Sequence, residues 1–132
     1  MTANPLPVVA ATGLFTPTDV ITNDELVASF NAYVDRYNAA HPDAEPLTHS
    51  SVEFIEKASG IKARHVIDKR AIIDPAIMEP RYPARGDDQI SLMAEIGVAA
   101  CRDALARAGR DIADVDAVLC AASNMQRAYP AM

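Results

Sequence analysis

An α/β fold follows from three features of the 132-residue sequence. Two apolar runs of strand length, residues 6–14 (LPVVAATGL) and 116–123 (DAVLCAAS), lie near opposite ends of the chain. Between them stand helical patterns with their own start and stop signals. A short alternating segment, residues 61–67 (IKARHVI), adds a strand with two unlike faces. The order strand, helices, strand, long loop, helix, strand has no internal repeat, and it predicts parallel pairing of the first and last strands.

Residues 6–14 are closed by Gly13 and then by Thr16-Pro17, which suits a buried first strand ending in a turn. Thr22-Asn23-Asp24-Glu25 fits a reciprocal N-terminal cap, in which the Thr hydroxyl covers an orphan amide and the Glu three residues on returns to the Thr amide. Behind it Leu26, Phe30, Tyr33, Val34 and Tyr37 recur at helical spacing, and His41-Pro42 ends the helix. Such an aromatic stripe reads as core. Residues 42–49 are a polar connection with two prolines. Ser50-Ser51-Val52-Glu53 offers a second cap, and Phe54, Ile55 and Ala58 give a short helix stopped by Gly60. In the strand that follows, Ile61, Ala63, His65 and Ile67 share one face, and Lys62, Arg64 and Val66 the other, as in an exposed or edge strand.

Residues 68–88 read as irregular, with Pro75, Pro80 and Pro83 among charged residues and an apolar patch of Ile72, Ile73, Ile77 and Met78. A loop of that length is a lid, a binding loop or a disordered piece, and the apolar patch favours a docked loop. Residues 89–108 form the longest predicted helix. One stripe holds Ile90, Ala94, Val98, Cys101, Leu105 and Ala108, and a second holds Met93, Gly97, Ala100 and Ala104. So many small apolar residues predict a helix pressed between layers. Gly109 stops it, and residues 111–114 turn the chain into the last strand.

Composition narrows the function. Half of the residues are hydrophobic and the net charge is −6 with no run of like charges, which argues against nucleic acid or an anionic membrane as partner. No segment approaches the roughly 20 apolar residues of a membrane span, and the start of the chain lacks the pattern of a secretory signal. A cytoplasmic protein is the expectation. Cys101 and Cys120 fall in apolar runs and read as reduced, packed thiols. The three histidines, His41, His49 and His65, have no metal-ligand spacing, so no metal site is expected.

No complete catalytic constellation is visible. Cys120 lies inside an apolar run, without the helix N-terminus or cationic neighbour that would activate a thiol. His65 has basic neighbours and reads as a structural strand histidine. Lys62 and Arg64 suit either a phosphate contact or a solvated strand face.

One resemblance spans nearly the whole chain. The segment FIEKASGIKARH (54–65) resembles the helix, Gly-Ile turn and Arg-His strand of β-ketoacyl-[acyl-carrier-protein] synthase III. ATGLFTP (11–17), ITNDEL (21–26), the helix end at 104–109, and residues 116–123 leading to Ala128-Tyr129-Pro130 follow in that family's order. The long first helix and the loop at 68–88 resemble a long-insert subgroup.

The resemblance implies a thiolase-like fold, a layered αβαβα arrangement, of which residues 1–132 are the first part of the N-terminal half and 68–88 an insertion loop. It implies a homodimeric acyltransferase that takes an acyl group from acyl-CoA onto a cysteine and condenses it with malonyl-acyl carrier protein, releasing carbon dioxide. The catalytic cysteine, histidine and asparagine would lie beyond Met132, which leaves the chain alone inactive, with acyl-CoA as a substrate and no cofactor. Phe54 matches an aromatic, usually Trp, that stacks on the adenine of coenzyme A. Ala58 stands where the family often has an Arg. Arg64 matches the strand arginine, with a coenzyme A or a structural role. Tyr129 matches a Phe that crosses the dimer interface into the partner's acyl channel. Two other readings remain: a non-catalytic half-fold that binds a complementary condensing-enzyme piece, and an enzyme that condenses two acyl-CoAs.

Overall fold

The computed structural model describes residues 8–122. In chain order the elements are β1 (Asp19–Thr22), α1 (Asn23–Ala40), α2 (Val52–Ser59), β2 (Ala63–Val66), α3 (Leu92–Ala108) and a 3-10 turn at Ile112–Asp114. Residues 16–83 form one compact unit, and residues 8–15 with 84–122 are the described part of a second.

In the first of these units, α1 begins where its cap predicts. The Glu25 amide donates to the Thr22 hydroxyl at 3.2 Å, and the Glu25 carboxylate accepts from the Thr22 amide at 2.9 Å. The helix runs 18 residues and lays its apolar stripe inward, with Val34 fully buried and Phe30, Tyr33 and Tyr37 half-buried. Ile21, at the end of β1, is the other fully buried apolar residue here. Ser51 caps α2 by accepting from the Phe54 amide at 3.1 Å, and Gly60 ends it with φ 69°, a left-handed conformation that a side chain would strain. α2 turns Val52 and Ile55 inward while Phe54 and Ala58 face solvent.

β1 and β2 pair antiparallel, with Asp19 opposite Val66 and Thr22 opposite Ala63. The pattern of the sequence gives β2 and not β1. β1 is only four residues long, and its last residue doubles as the helix cap. On β2 the alternation holds, and the better covered face is the one carrying Arg64 and Val66. Past β2 the chain is irregular, as expected for 68–88. Its first residues are tied to β1: the Lys69 amide donates to Asp19 at 3.1 Å, and the Lys69 ammonium donates to the Val20 carbonyl at 3.2 Å and to Glu25 at 2.7 Å.

In the other unit, α3 starts at Leu92, three residues later than its apolar pattern suggests, because the buried Ser91 is the cap and accepts from the Ala94 amide at 3.1 Å. Arg85 braces that start by donating to the Ile90 carbonyl at 2.9 Å and to Glu95 at 2.6 Å. Gly109 closes the helix in the left-handed region, and Asp111 caps the 3-10 turn. Gly13 lies so close to α3 that a Cβ there would run into the Ala100 carbonyl and the Ala104 backbone. The Leu14 amide donates to Asp103 at 2.9 Å beside it.

Three expectations are corrected here. The described parts of residues 6–14 and 116–123 contain no strand, and the pairing found among the described residues is antiparallel. A buried strand needs a ladder partner on each side, and none is described beside either segment, so Val8, Val9, Val118 and Leu119 stay exposed. α3 is not pressed between layers within the described residues: none of its residues is buried, and Ile90 and Val98 are exposed. Cys101 and Cys120 are exposed and form no disulfide, where packed thiols are expected. Cys101 lies on α3 and Cys120 on the irregular segment after the 3-10 turn.

Candidate functional site

The candidate site lies at the junction of α1, α2 and β2, which carries Phe54 on α2 and Arg64 on β2. Asn23, the first residue of α1, is 2% exposed and sits at its centre. Its backbone amide donates to the Lys62 carbonyl at 3.3 Å, its side-chain amide donates to the Ile61 carbonyl at 2.8 Å, and its side-chain oxygen accepts from the Arg64 guanidinium at 2.7 Å. A buried amide whose donor and acceptor are both satisfied fixes its neighbours more tightly than apolar contact does. The turn from α2 into β2 is thereby fastened to the start of α1.

Arg64 is half-buried and bonded to Asn23, so in this structure its guanidinium serves the junction. His65, on the exposed face of β2, has Nδ1 at 2.8 Å from the Pro17 carbonyl. A carbonyl can only accept, so Nδ1 carries the proton and the imidazole acts as a strand-edge tie. The structural reading of His65 agrees with this geometry.

Phe54 is on the outer face of α2 and is 66% exposed. Ala58 lies one turn further along the same face and is also exposed, so nothing bulky flanks the ring on that side. The surface offers a flat aromatic face suited to stacking. Among the described residues no group of three or more His, Cys, Asp and Glu side chains is placed to hold a metal ion. Tyr129 lies outside the described residues.

The electrostatics of the region centre on Lys69. The Lys69 ammonium and, next, the Thr22 backbone amide hold the Glu25 carboxyl down at about 2. Asp68 is held at about 2 by hydrogen bonds from the neighbouring Arg70. In the other unit Asp103 is lowered by Arg107 first and by the Leu14 amide second.

Sequence reasoning missed Asn23 as a junction, reading it only as part of a cap, and missed Lys69 altogether. An Asn at the first helical position of a motif as specific as ITNDEL was the available signal. Lys69 had none, because its partners lie 44 to 50 residues away.

Comparison with known proteins finds the chain similar to part of two [acyl-carrier-protein] synthases. It is 52% identical over 110 residues to beta-ketodecanoyl-[acyl-carrier-protein] synthase of Pseudomonas aeruginosa, a match covering 79% of this chain and 31% of that protein. Over 106 residues it is 31% identical to beta-ketoacyl-[acyl-carrier-protein] synthase III of Rhizobium johnstonii, covering 80% of this chain and 27% of the relative. The chain thus spans less than a third of the length of these curated relatives. No protein-family model matches it. The resemblance to β-ketoacyl-[acyl-carrier-protein] synthase III read from the motifs is borne out by these relatives.

Proposed function

We propose that this chain is the first part of a thiolase-like condensing enzyme of the synthase III type. The complete protein transfers an acyl group from acyl-CoA to its own cysteine, releasing the coenzyme A thiol. Malonyl-acyl carrier protein then loses carbon dioxide, and the resulting enolate carbon attacks the thioester, giving the β-ketoacyl product and freeing the cysteine. The cysteine, histidine and asparagine for these steps lie outside the 132 residues, so the chain alone does not condense anything. The observation that carries this reading is the 52% identity to a beta-ketodecanoyl synthase. A ketodecanoyl product is its acyl donor lengthened by the two carbons that malonate retains, so a medium-chain acyl-CoA is the donor to test first.

Within this reading the exposed Phe54 stacks on the adenine of coenzyme A and Arg64 ties β2 to the start of α1 through Asn23. Tyr129 lines the acyl channel of a partner subunit in a cytoplasmic homodimer, where its hydroxyl reshapes the channel. Residues 68–88 are an insertion. Radiolabelled acyl-CoA should label a cysteine outside these 132 residues in the complete protein. Label on Cys120 would overturn the assignment.

A second reading has one observation in its favour. Ile90 at 59%, Val98 at 42% and Leu119 at 99% exposure leave apolar side chains uncovered. Under this reading the chain is a half-fold that binds a complementary condensing-enzyme piece. Assembly that depends on concentration, with activity restored on adding the remainder of the protein, would support it. A soluble monomer that ignores the remainder would count against it.

A further inference from the structure

The connector between α1 and α2 is held along α1 by side chains that imitate a β-ladder. Asn38 donates to the Leu47 carbonyl at 2.9 Å and accepts from the Leu47 amide at 2.9 Å. Asn31 does the same to Ser50, donating at 3.1 Å and accepting at 2.9 Å. Between the two rungs His49 Nε2 lies 2.8 Å from Asp35. Asn31, Asp35 and Asn38 occupy positions i, i+4 and i+7, one stripe of the helix.

The spacing of the rungs follows from chain geometry. Seven helical residues rise about 10.5 Å and return to nearly the same face. Three extended residues, from Leu47 to Ser50, span about 10 Å. An extended strap running antiparallel to α1 therefore matches the asparagine spacing. Each asparagine satisfies both backbone groups of one connector residue, as a neighbouring strand would.

The strap ends at the candidate site. Ser50 is followed by Ser51, the cap of α2, which accepts from the Phe54 amide at 3.1 Å. We propose that Asn31 and Asn38 are positioning residues: they clamp residues 47–50 against α1 and so set where α2 begins and where Phe54 is presented to the nucleotide of acyl-CoA. This rests on the reading of Phe54 given above. Asn31 is the more important of the two, because its rung is partly buried and adjoins the cap, whereas the Asn38 rung is exposed.

The test uses the complete protein, with hydrogen exchange over residues 44–51 and steady-state kinetics against acyl-CoA. Asn31→Leu should speed exchange of the Ser50 amide at least tenfold and raise KM for acyl-CoA several-fold with kcat held. Asn31→Asp, which keeps the acceptor and loses the donor, should fall between. Asn38→Leu should free the Leu47 amide with a smaller change in KM. In a Phe54→Ala background, Asn31→Leu should add nothing to KM. An unchanged Ser50 exchange rate in Asn31→Leu removes the strap. A KM effect of equal size with and without Phe54 removes the positioning role. A KM indifferent to Phe54→Ala alone overturns the ligand reading of α2, and with it the ligand half of this proposal, while the exchange data still decide the strap.

Discussion

At the scale of the residue, the contact between Glu25 and Lys69 links two parts of the chain 44 positions apart. The Glu25 carboxyl sits at about 2 instead of its ordinary 4.5, so folding favours the ionised form. Its contribution to stability is complete above pH 4.5 and is lost as the pH falls toward 2. Asp68 also sits at about 2, down from a lower ordinary value of 3.8, but its partner Arg70 is two residues away, and so local a pair persists in part in the unfolded chain. Glu25 should therefore carry more of the acid sensitivity. Urea titrations at pH 7 and pH 3 check this: Glu25→Gln should lower stability at pH 7 and shrink the difference between the two pH values. An undiminished difference would assign the acid sensitivity to other carboxylates.

Asn23 makes a separate prediction at the same scale. Asn23→Ala strands the Ile61 carbonyl and the Arg64 guanidinium in a junction where Asn23 itself is 2% exposed. Unmet buried polar groups cost about 1–3 kcal/mol, which a shift in the urea midpoint would read. Arg64→Leu should cost less, because it leaves only the Asn23 oxygen without that partner.

At the scale of the element, the helices and the alternating strand β2 were legible and the other strand pairing was not, for a physical reason. The cap of α1, the cap of α2 and the stops at Gly60 and Gly109 are written within a few residues of where they act. Thr22→Ala should accordingly cost about 1 kcal/mol, as the loss of a side-chain cap does, and equilibrium unfolding measures it. Strands take their hydrogen bonds from elsewhere in the chain. The apolar pattern of 6–14 and 116–123 states a need for neighbours without supplying them, and β1 was hidden because Asp19–Thr22 is short and merges with a helix cap. The same division applies to the candidate site. Phe54 and Arg64 were visible through the FIEKASGIKARH motif, whereas the asparagine ladder on α1 depends on a partner segment whose path only the folded chain reveals. Three short polar residues at i, i+4 and i+7, followed by a polar connector, were the trace it left in the sequence.

At the scale of the whole molecule, the two units bury their apolar residues unequally, and the difference yields a test of whether the chain is complete in itself. α1 covers its stripe, with Val34 fully buried, while α3 has no buried residue and leaves Val98 at 42% exposure. A Cβ added at Gly97 would meet nothing within 4 Å. For the 132-residue chain alone, Gly97→Ala should stabilise by about 0.5–1 kcal/mol through helix propensity, and Val98→Asp should be nearly neutral. Under the proposed reading a complete condensing enzyme covers α3, so the same changes would meet packed neighbours. Gly97→Ala should then be neutral or destabilising by overpacking, and Val98→Asp should cost several kcal/mol as a buried, unpaired carboxylate. Thermal or urea unfolding of both variants in both contexts reads the contrast. Val98→Asp tolerated equally in the complete protein and in the chain alone would mean that α3 faces solvent in both, and the proposal that this chain is one part of a larger condensing-enzyme core would fall.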